Sequence, residues 1–201
     1  MEYYDPRRER LSVYVEPGMS RQVDWSDGKF RRGGILPYTV IDGVRLYCFA
    51  LDSSSADLTD FGGRRDRRDK DILETALREF YEESLGVFGN IRYSDLLNLE
   101  AIYTRVDEDR YTMMLLLPVN VTDLIEPGEE FSRRAAEHID HENRALVWLT
   151  QGQVLRVLDL DQKIINREVL FIIYPPVRIL LENYLKHWQK LSSKRIRCPA
   201  T

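Results

Sequence analysis

Residues 62–86, GGRRDRRDKDILETALREFYEESLG, join two glycines and an arginine-rich run to an amphipathic segment. Apolar residues recur in this segment at i, i+3, i+4 and i+7, which predicts a helix over about 70–85. Asp71 is placed to cap the helix, with Glu74 three residues later as in a capping box. Gly86 suits the left-handed position that follows a helix end. The predicted apolar face consists of Leu73, Ala76, Leu77 and Phe80.

Three glutamates of this helix, Glu79, Glu82 and Glu83, are spaced so that they share one face. Carboxylates held so close together repel one another unless divalent cations lie among them. Oxygen ligands on one rigid element suit Mg²⁺ or Mn²⁺, and Mg²⁺ also takes substrate phosphates as ligands. The preceding Gly62-Gly63 pair allows backbone amides to turn towards an anion. The pattern predicts a metal-assisted phosphate hydrolase, with a solvated charged helix face as the alternative.

The flanking sequence predicts an α+β fold with a mixed sheet. Two apolar runs within 33–52 are joined by Asp42-Gly43, a pair that tolerates the positive φ angles of a tight hairpin turn. A C-terminal helix is predicted from its apolar positions, which are Val177, Leu180, Leu181, Tyr184, Trp188 and Leu191. The other predicted elements are a strand at 11–15, a loop at 53–63 with one short strand in it as an alternative, and paired strands at 96–106 and 110–121. They are followed by a long polar connection at 124–143, with a partly helical connection as the alternative, by a strand at 144–149 and by a short helix.

The composition indicates one sizeable domain, because 43% of the 201 residues are hydrophobic. A net charge of −4 argues against a general nucleic-acid coat protein. The two cysteines, Cys48 and Cys198, are too few and too distant for a disulfide framework, so they indicate a reducing compartment. Neither a signal peptide nor an apolar run of about 18 residues is found. We therefore expect a cytoplasmic protein without a membrane span.

The chain resembles the Nudix hydrolase superfamily over about residues 31–160. The Nudix box is written G-x5-E-x7-R-E-U-x-E-E-x-G-U, where U is a bulky aliphatic residue. The segment REFYEESLGV at 78–87 is similar to the second half of this box, and DFGG at 60–63 stands where many members have Pro-Gly-Gly. The resemblance implies a Nudix-type α/β/α sandwich with a mixed sheet, in which the box helix is central.

The box departs from the family pattern at three positions. Lys70 stands where the first box glutamate falls, Phe80 replaces the aliphatic residue, and Leu85 is an extra residue before Gly86. In the family the first glutamate helps to brace the loop against the box arginine. The resemblance therefore implies that a neighbouring aspartate, Asp69 or Asp71, takes over this role.

The resemblance also implies hydrolysis of the diphosphate linkage in a nucleoside diphosphate joined to another group, with Mg²⁺ or Mn²⁺ as cofactor. A further acid in the loop before Trp148 often supplies another ligand or a base in this family. Glu142 is the first choice for it, followed by Glu137 and then by Glu129 or Glu130. The implied metal-binding and catalytic residues are Glu79, Glu82, Glu83 and Glu142, with Gly63 as a further metal contact. The implied substrate-binding residues are Gly62, Gly63, Arg64, Arg65 and Arg78, of which Arg78 is better suited to orienting a carboxylate or a loop carbonyl.

The arginine cluster favours a highly phosphorylated ligand or an RNA 5′ end over a small sugar nucleotide. FGGRR at 61–65 and REFYEES at 78–84 also resemble viral and cellular Nudix enzymes that remove mRNA caps or act on diphosphoinositol phosphates. A nucleotide or a capped RNA is therefore the favoured partner, and we do not expect the protein to bind a membrane. Two other readings stay open: a Nudix-fold module that binds without catalysis, which Lys70 favours, and a plain α+β interaction domain with surface glutamates. The cluster consists of Arg64, Arg65, Arg67 and Arg68.

The expected organisation has three parts. Residues 1–30 form an N-terminal extension, 31–160 a Nudix-like catalytic domain, and 161–201 a C-terminal strand and helix that pack on the domain and end in a basic tail. Several aromatic residues are candidates to stack on a base, with core packing as the alternative role. They are Tyr38, Tyr47, Tyr103, Tyr111 and Phe131.

Overall fold

The computed structural model describes residues 12–107, 109–138, 141–159, 164–166 and 169–195. Their strands are β1 (Ser12–Val15), β2 (Phe30–Ile41), β3 (Val44–Asp52), β4 (Asp57–Thr59), β5 (Phe61–Arg64), β6 (Glu100–Asp107), β7 (Arg110–Pro118), β8 (Asn143–Thr150), β9 (Ile164–Asn166) and β10 (Val169–Ile173). Their helices are α1 (Ile72–Ser84), α2 (Tyr93–Leu96), α3 (Ile125–Ala135), α4 (Gln151–Asp159) and α5 (Pro175–Arg195), with a 3₁₀ turn at Ser20–Gln22. The predicted α+β class is confirmed.

The strands form one mixed sheet in the part of the chain that the structure describes. The hydrogen-bonded path runs β1-β6-β7-β2-β3-β4-β10-β9, while β5 pairs with β2 and β8 pairs with β3. Strands β2 and β7 are parallel, as are β4 and β10, and the remaining pairs are antiparallel. Strand β2 pairs with β3 over 38–41 and with β5 over 32–35. Strands β2 and β3 are therefore paired next to their shared turn and diverge further from it.

The predicted hairpin is confirmed, and its turn has the expected backbone. Asp42 and Gly43 have φ angles of 51° and 77°, which is the left-handed pair that a two-residue hairpin turn requires. The segment 53–63, predicted as a loop with at most one short strand, contains two: β4 and most of β5. These strands have three and four residues, which are too few to show alternation. The strand predicted from 96 begins at Glu100, because a short helix precedes it.

Helix α1 begins and ends close to the predicted residues. Asp71 caps it by accepting a hydrogen bond from the Glu74 amide at 2.9 Å. The Glu74 carboxylate in turn accepts from the amide of Lys70, one residue earlier than a capping box would have it. Leu85 and Gly86 follow the helix with φ angles of 54° and 69°. The extra residue is thus accommodated in a left-handed pair at the helix end, where it leaves the glutamate spacing unchanged.

The sheet is covered on both faces, each by its own hydrophobic core. Successive residues of β2 point to opposite sides, so Ile35 packs in the core below α1 and Leu36 in the core below α4 and α5. Phe80 packs helix α1 against the sheet, because its ring is fully buried beside Phe61 of β5. This is the predicted arrangement of a central box helix and a C-terminal helix on a mixed sheet. In the C-terminal helix the buried predicted residues are Val177, Leu180, Leu181 and Tyr184.

The N-terminal residues that the structure describes join the same sheet and core. Strand β1 pairs with β6, and Trp25 and Phe30 are buried in the core below α1. The side chains of Trp188 and Leu191, and the predicted basic tail, lie outside the described residues. Among the helices that are described, none has the length and apolar character to cross a membrane.

Candidate active site

Two glycine pairs form a floor free of side chains between β2 and β5. Gly33 lies opposite Gly63, and Gly34 lies opposite Gly62, in the antiparallel register. A Cβ atom on Gly62 would fall 2.6 Å from the carbonyl oxygen of Gly33, and one on Gly63 would fall 2.7 Å from Oε2 of Glu79. Only glycine fits at position 62, because neighbouring backbone occupies the space, whereas a side chain at position 63 would displace the Glu79 carboxylate.

The three box glutamates occupy this region unequally. Glu83 is buried and accepts a hydrogen bond from the Gly62 amide at 2.9 Å. The Glu79 carboxylate lies directly against Gly63. The side chain of Glu82 is 60% exposed and accepts from Nη1 of Arg78 at 3.0 Å. Glu79 and Glu83 therefore lie on the glycine floor, and Glu82 lies at its outer edge.

Burial and neighbouring acids make Glu83 a weak acid. Burial is the largest cause that raises its pKa, to about 9, and the charges of Asp60 and Glu79 raise it further. The Gly62 amide and Arg32 oppose this rise. Burial likewise raises the pKa of Glu79, against the opposing effect of its hydrogen bond and ion pair with Arg78. Without a metal ion, the floor therefore holds a proton on Glu83 at neutral pH.

A buried ion pair beneath the floor was not predicted from the sequence. Asp60 is fully buried and binds both terminal nitrogens of Arg32, one of them at 3.2 Å. Arg32 also donates to the Gly62 carbonyl at 3.1 Å. Although burial lowers the pKa of Arg32, the charge of Asp60 and the hydrogen bond to it raise it above the usual value. These residues come together only through the β2–β5 register, so the sequence carried no local signal for the pair.

The guanidinium group of Arg78 is bound by acidic side chains of α1 and of the loop that precedes it. Its Nε and Nη2 donate to Asp69 at 3.2 and 3.0 Å, its Nη1 lies 2.8 Å from Oε1 of Glu79, and its Nη2 also donates to the Arg64 carbonyl at 3.3 Å. The hydrogen bond with Asp69 is the largest cause that raises the pKa of Arg78. Asp69 thus braces the arginine in the way the resemblance implied for it, whereas Asp71 caps α1.

The floor borders a cavity of about 890 Å³, a volume within the range of small-molecule sites. Glu83 lines it, whereas Glu79, Glu82 and Arg78 do not belong to its lining. Thr112 and Asn143 in the lining each carry a buried polar atom without a hydrogen-bond partner among the described residues. The lining consists of Arg31, Arg32, Asp52, Ser54, Ser55, Asp57, Thr59, Gly62, Gly63, Arg64, Arg65, Glu83, Val106, Arg110, Tyr111, Thr112, Glu142, Asn143, Tyr174 and Pro176.

The arginines that line the cavity differ in whether other residues bind their guanidinium groups. Arg65 donates to three backbone carbonyls, among them that of Lys70 at 2.8 Å, so it fixes the loop after β5. Arg110 pairs with Asp107. Arg31 and Arg64 are exposed, and their guanidinium groups make no hydrogen bond or ion pair within the described residues.

The loop before β8 brings one more acid to the cavity. Glu142 lines it, and the charge of Glu142 helps to raise the pKa of Glu79. The backbone of Glu142 is anchored, because its carbonyl accepts from the Ser53 amide at 2.8 Å and from the Ser53 hydroxyl at 2.7 Å. The alternatives Glu130 and Glu137 instead pair with Arg133 of α3.

The donor set suits a hard divalent cation by its chemistry. Glu79, Glu83 and Glu142 offer carboxylate oxygens, and oxygen donors are what Mg²⁺ prefers. The charge of Glu142 contributes to the raised pKa of Glu79, and the charge of Glu79 contributes to that of Glu83. In the described part of the chain, no three His, Cys, Asp or Glu side chains stand close enough together to form a metal site as they are arranged.

Comparison with known proteins gives structural similarity only. No protein-family model and no curated protein matches the chain. The crystal structure of a C. elegans Ap4A hydrolase binary complex is similar with a TM-score of 0.46 and 16% identity, covering 79% of this chain and 97% of that one. The crystal structure of C. elegans Ap4A hydrolase gives a TM-score of 0.44 and 14% identity, covering 78% and 96%. The assignment of chemistry therefore rests on the residues of the site.

Proposed function

We propose that this chain is a Mg²⁺- or Mn²⁺-dependent hydrolase of the Nudix type, which cleaves the diphosphate linkage of a nucleoside diphosphate joined to another group. The observation that carries the proposal is the buried Glu83, bound to the Gly62 amide in the wall of a cavity lined by arginines. Glu79 lies beside it against Gly63. The resemblance of 78–87 to the Nudix box supports the same assignment from the sequence.

The residues take different roles in this proposal. A bound ion would neutralise the diphosphate and lower the pKa of an attacking water. Glu79 and Glu83 would hold the ion, and Glu82 or Glu142 would complete its ligands. Arg78 acts as a positioning residue, because it binds both Glu79 and Glu82 while Asp69 fixes it in place.

The phosphate groups would lie along the exposed cations of the cavity. Arg31 and Arg64 are free to bind phosphate oxygens, since no described residue bonds their guanidinium groups. The buried polar atoms of Thr112 and Asn143 are candidates to bond a polar ligand, because buried polar groups normally have partners. Among substrates, a capped RNA 5′ end remains the favoured proposal, because further arginines such as Arg67 continue the cluster beyond the cavity.

A substrate panel with matched variants tests the function. Capped RNA, dinucleoside polyphosphates, nucleotide sugars and inositol pyrophosphates are incubated with the protein and Mg²⁺, and the release of products is measured. Glu83→Gln or Glu82→Gln should lower turnover by at least about 100-fold, the scale of losing an electrostatic contributor. Glu137→Gln is the control, because Glu137 pairs with Arg133 on α3. Unchanged Mg²⁺-dependent hydrolysis in the Glu82/Glu83 double variant would contradict the proposal.

The panel also separates catalysis from binding alone. A ligand that binds without release of product would favour the non-catalytic Nudix-fold module, for which Lys70 is the sequence argument. Cleavage of free nucleotides with capped RNA left intact would keep the hydrolase and remove the cap as substrate.

A further inference from the structure

We propose that Tyr174 is the residue that recognises the aromatic base of the substrate, so that the cavity selects nucleotides over phosphate compounds without a base. This inference rests on the proposed function and adds a specificity residue outside the box. Tyr174 lies between β10 and α5, more than 85 residues after the last box glutamate.

The ring of Tyr174 is presented to the cavity by a fixed backbone. Its amide donates to the Leu58 carbonyl at 2.8 Å, and its own carbonyl accepts from the Arg178 amide at 2.9 Å. The following Pro175 restricts Tyr174 to extended backbone angles. The residue lines the cavity and is 39% exposed. A large aromatic side chain is thus held in place while much of its surface stays open.

One face of this ring already has a cationic neighbour. The guanidinium carbon of Arg32 lies 5.5 Å from the ring centroid, within the range of a cation–π contact. Arg32 is itself fixed by Asp60 and by the Gly62 carbonyl. The ring is therefore supported from beneath by a side chain that is locked in place. Preorganised aromatic surfaces of this kind stack on nucleobases, since every base has a π-face.

The other aromatic candidates are committed to packing. Tyr111 also lines the cavity, but its ring packs 5.5 Å from Phe30 and 5.8 Å from Tyr103. Tyr47 and Phe131 are fully buried. Tyr174 is the aromatic residue of the lining that has no ring contact to another aromatic side chain within the described residues.

The charges beside Tyr174 explain why the ligand would carry phosphate as well as a base. Arg31 and Arg64 belong to the same cavity and offer guanidinium groups to phosphate oxygens. An anionic compound without a ring would use these arginines alone. A nucleotide would use both features, and this difference is what an experiment can measure.

Binding of two matched ligands tests the inference. α,β-Methylene ADP and methylenediphosphonate both carry the P–C–P linkage, and only the first has a base. Their affinities are measured by calorimetry with Mg²⁺. We expect Tyr174→Leu to weaken binding of the nucleotide by about 10-fold, the scale of one base–aromatic stack. Methylenediphosphonate should bind as it does to the unchanged protein, and Tyr174→Phe should retain nucleotide affinity because it keeps the ring.

Ile172→Ala is the matched control, because Ile172 is similarly exposed two residues earlier on β10 and lies outside the lining. Thermal melting shows whether each variant is folded. If Tyr174→Leu does not fold, Tyr174→Trp takes its place. We expect Tyr174→Trp to retain nucleotide affinity, because it keeps an aromatic ring. Nucleotide affinity unchanged in Tyr174→Leu, or lost in Tyr174→Trp, would overturn the inference alone. Failure of the unchanged protein to bind either ligand would overturn the proposed function with it.

Discussion

Glu83 places a carboxyl group in the interior beside Asp60 and Glu79, and this gives the metal-free protein a pH-dependent stability. Its pKa is raised from 4.5 to about 9 in the folded state by burial first and by these charges second. Between the two values the folded state binds more protons than the unfolded state, so stability falls as pH rises. The slope approaches about 1.4 kcal/mol per pH unit for one fully coupled group.

Urea denaturation with EDTA between pH 5 and pH 9 measures this slope. Glu83→Gln should remove most of it, because glutamine does not titrate, while the raised pKa of Glu79 leaves a residual slope of the same sign. Glu82→Gln should keep it, since the side chain of Glu82 is 60% exposed. Mg²⁺ should flatten the slope of the unchanged protein by replacing the proton in the site, which is a test of metal binding independent of turnover. The same slope in Glu83→Gln would show that the buried carboxyl is not its source.

Helical spacing predicts that the three glutamates share a face, but not which of them is buried. That difference arises from the floor: Gly62 donates its amide to Glu83, and Gly63 leaves room for Glu79. Glu82 has neither neighbour and turns to Arg78. The residue types follow from the sequence, whereas their individual environments depend on the register of β5 against β2, which the sequence does not specify.

At the scale of elements, sequence reasoning succeeds where a pattern is long enough to be periodic. Helix α1 and the hairpin around Asp42-Gly43 carry several repeats of their period, and both are found. Strand β5 has only four residues, too few for its pairing with β2 from Arg32 to Ile35 to be placed from the sequence. The Gly62 amide, expected to face an anion from the substrate, bonds Glu83 instead because it belongs to this strand.

The loop between β5 and α1 yields the next prediction, which concerns the departure at Lys70. Asp69 accepts from Arg78, from the Thr75 hydroxyl at 2.9 Å and from the Asp66 amide at 2.9 Å. Asp69→Ala would remove the main partner of Arg78, which keeps Glu79 and Glu82. It should lower the free energy of unfolding by about 1.5–3 kcal/mol, the range for hydrogen bonds to charged groups. Turnover should fall as well, because Arg78 positions Glu79.

Lys70→Glu is the informative partner variant, because it restores the acid of the family pattern. The brace is already provided by Asp69, so turnover should change by less than about 3-fold, as for an exposed substitution away from a key contact. Chemical denaturation and initial rates measure both variants. A large gain of activity in Lys70→Glu, or none lost in Asp69→Ala, would show that Asp69 does not take the place of the first box glutamate.

At the scale of the molecule, the site is assembled from segments that are distant in sequence. The floor comes from β2 and β5, the acids from α1 and from the loop before β8, and Tyr174 from the junction of β10 and α5. The box and its flanks predicted the residues that lie close together in sequence. Arg32, Asp60 and Tyr174 were missed because strand register and the return of the chain through β10 bring them in.

Helix α5 is held on the sheet by hydrogen bonds of Tyr184 as well as by packing. Its Tyr184 is buried, donates to Oε2 of Glu100 on β6 at 2.9 Å, and accepts from Arg45 on β3. Burial is the largest cause that raises the pKa of this phenol, followed by the charges of Tyr47 and Glu100. The hydroxyl therefore stays protonated and links one helix to two strands on the face of the sheet opposite α1.

Tyr184→Phe should lower the free energy of unfolding by about 1.5–3 kcal/mol, the range for hydrogen bonds to charged groups. Turnover per folded molecule should stay the same, because Tyr184 does not belong to the cavity lining. Tyr38→Phe is the control: its ring lies 4.3 Å from the Arg45 guanidinium, and its hydroxyl makes no hydrogen bond among the described residues. That control should change stability by less than about 0.5 kcal/mol. Equal effects of the two variants in urea denaturation would show that the hydroxyl of Tyr184 does not secure the helix, and that packing alone does.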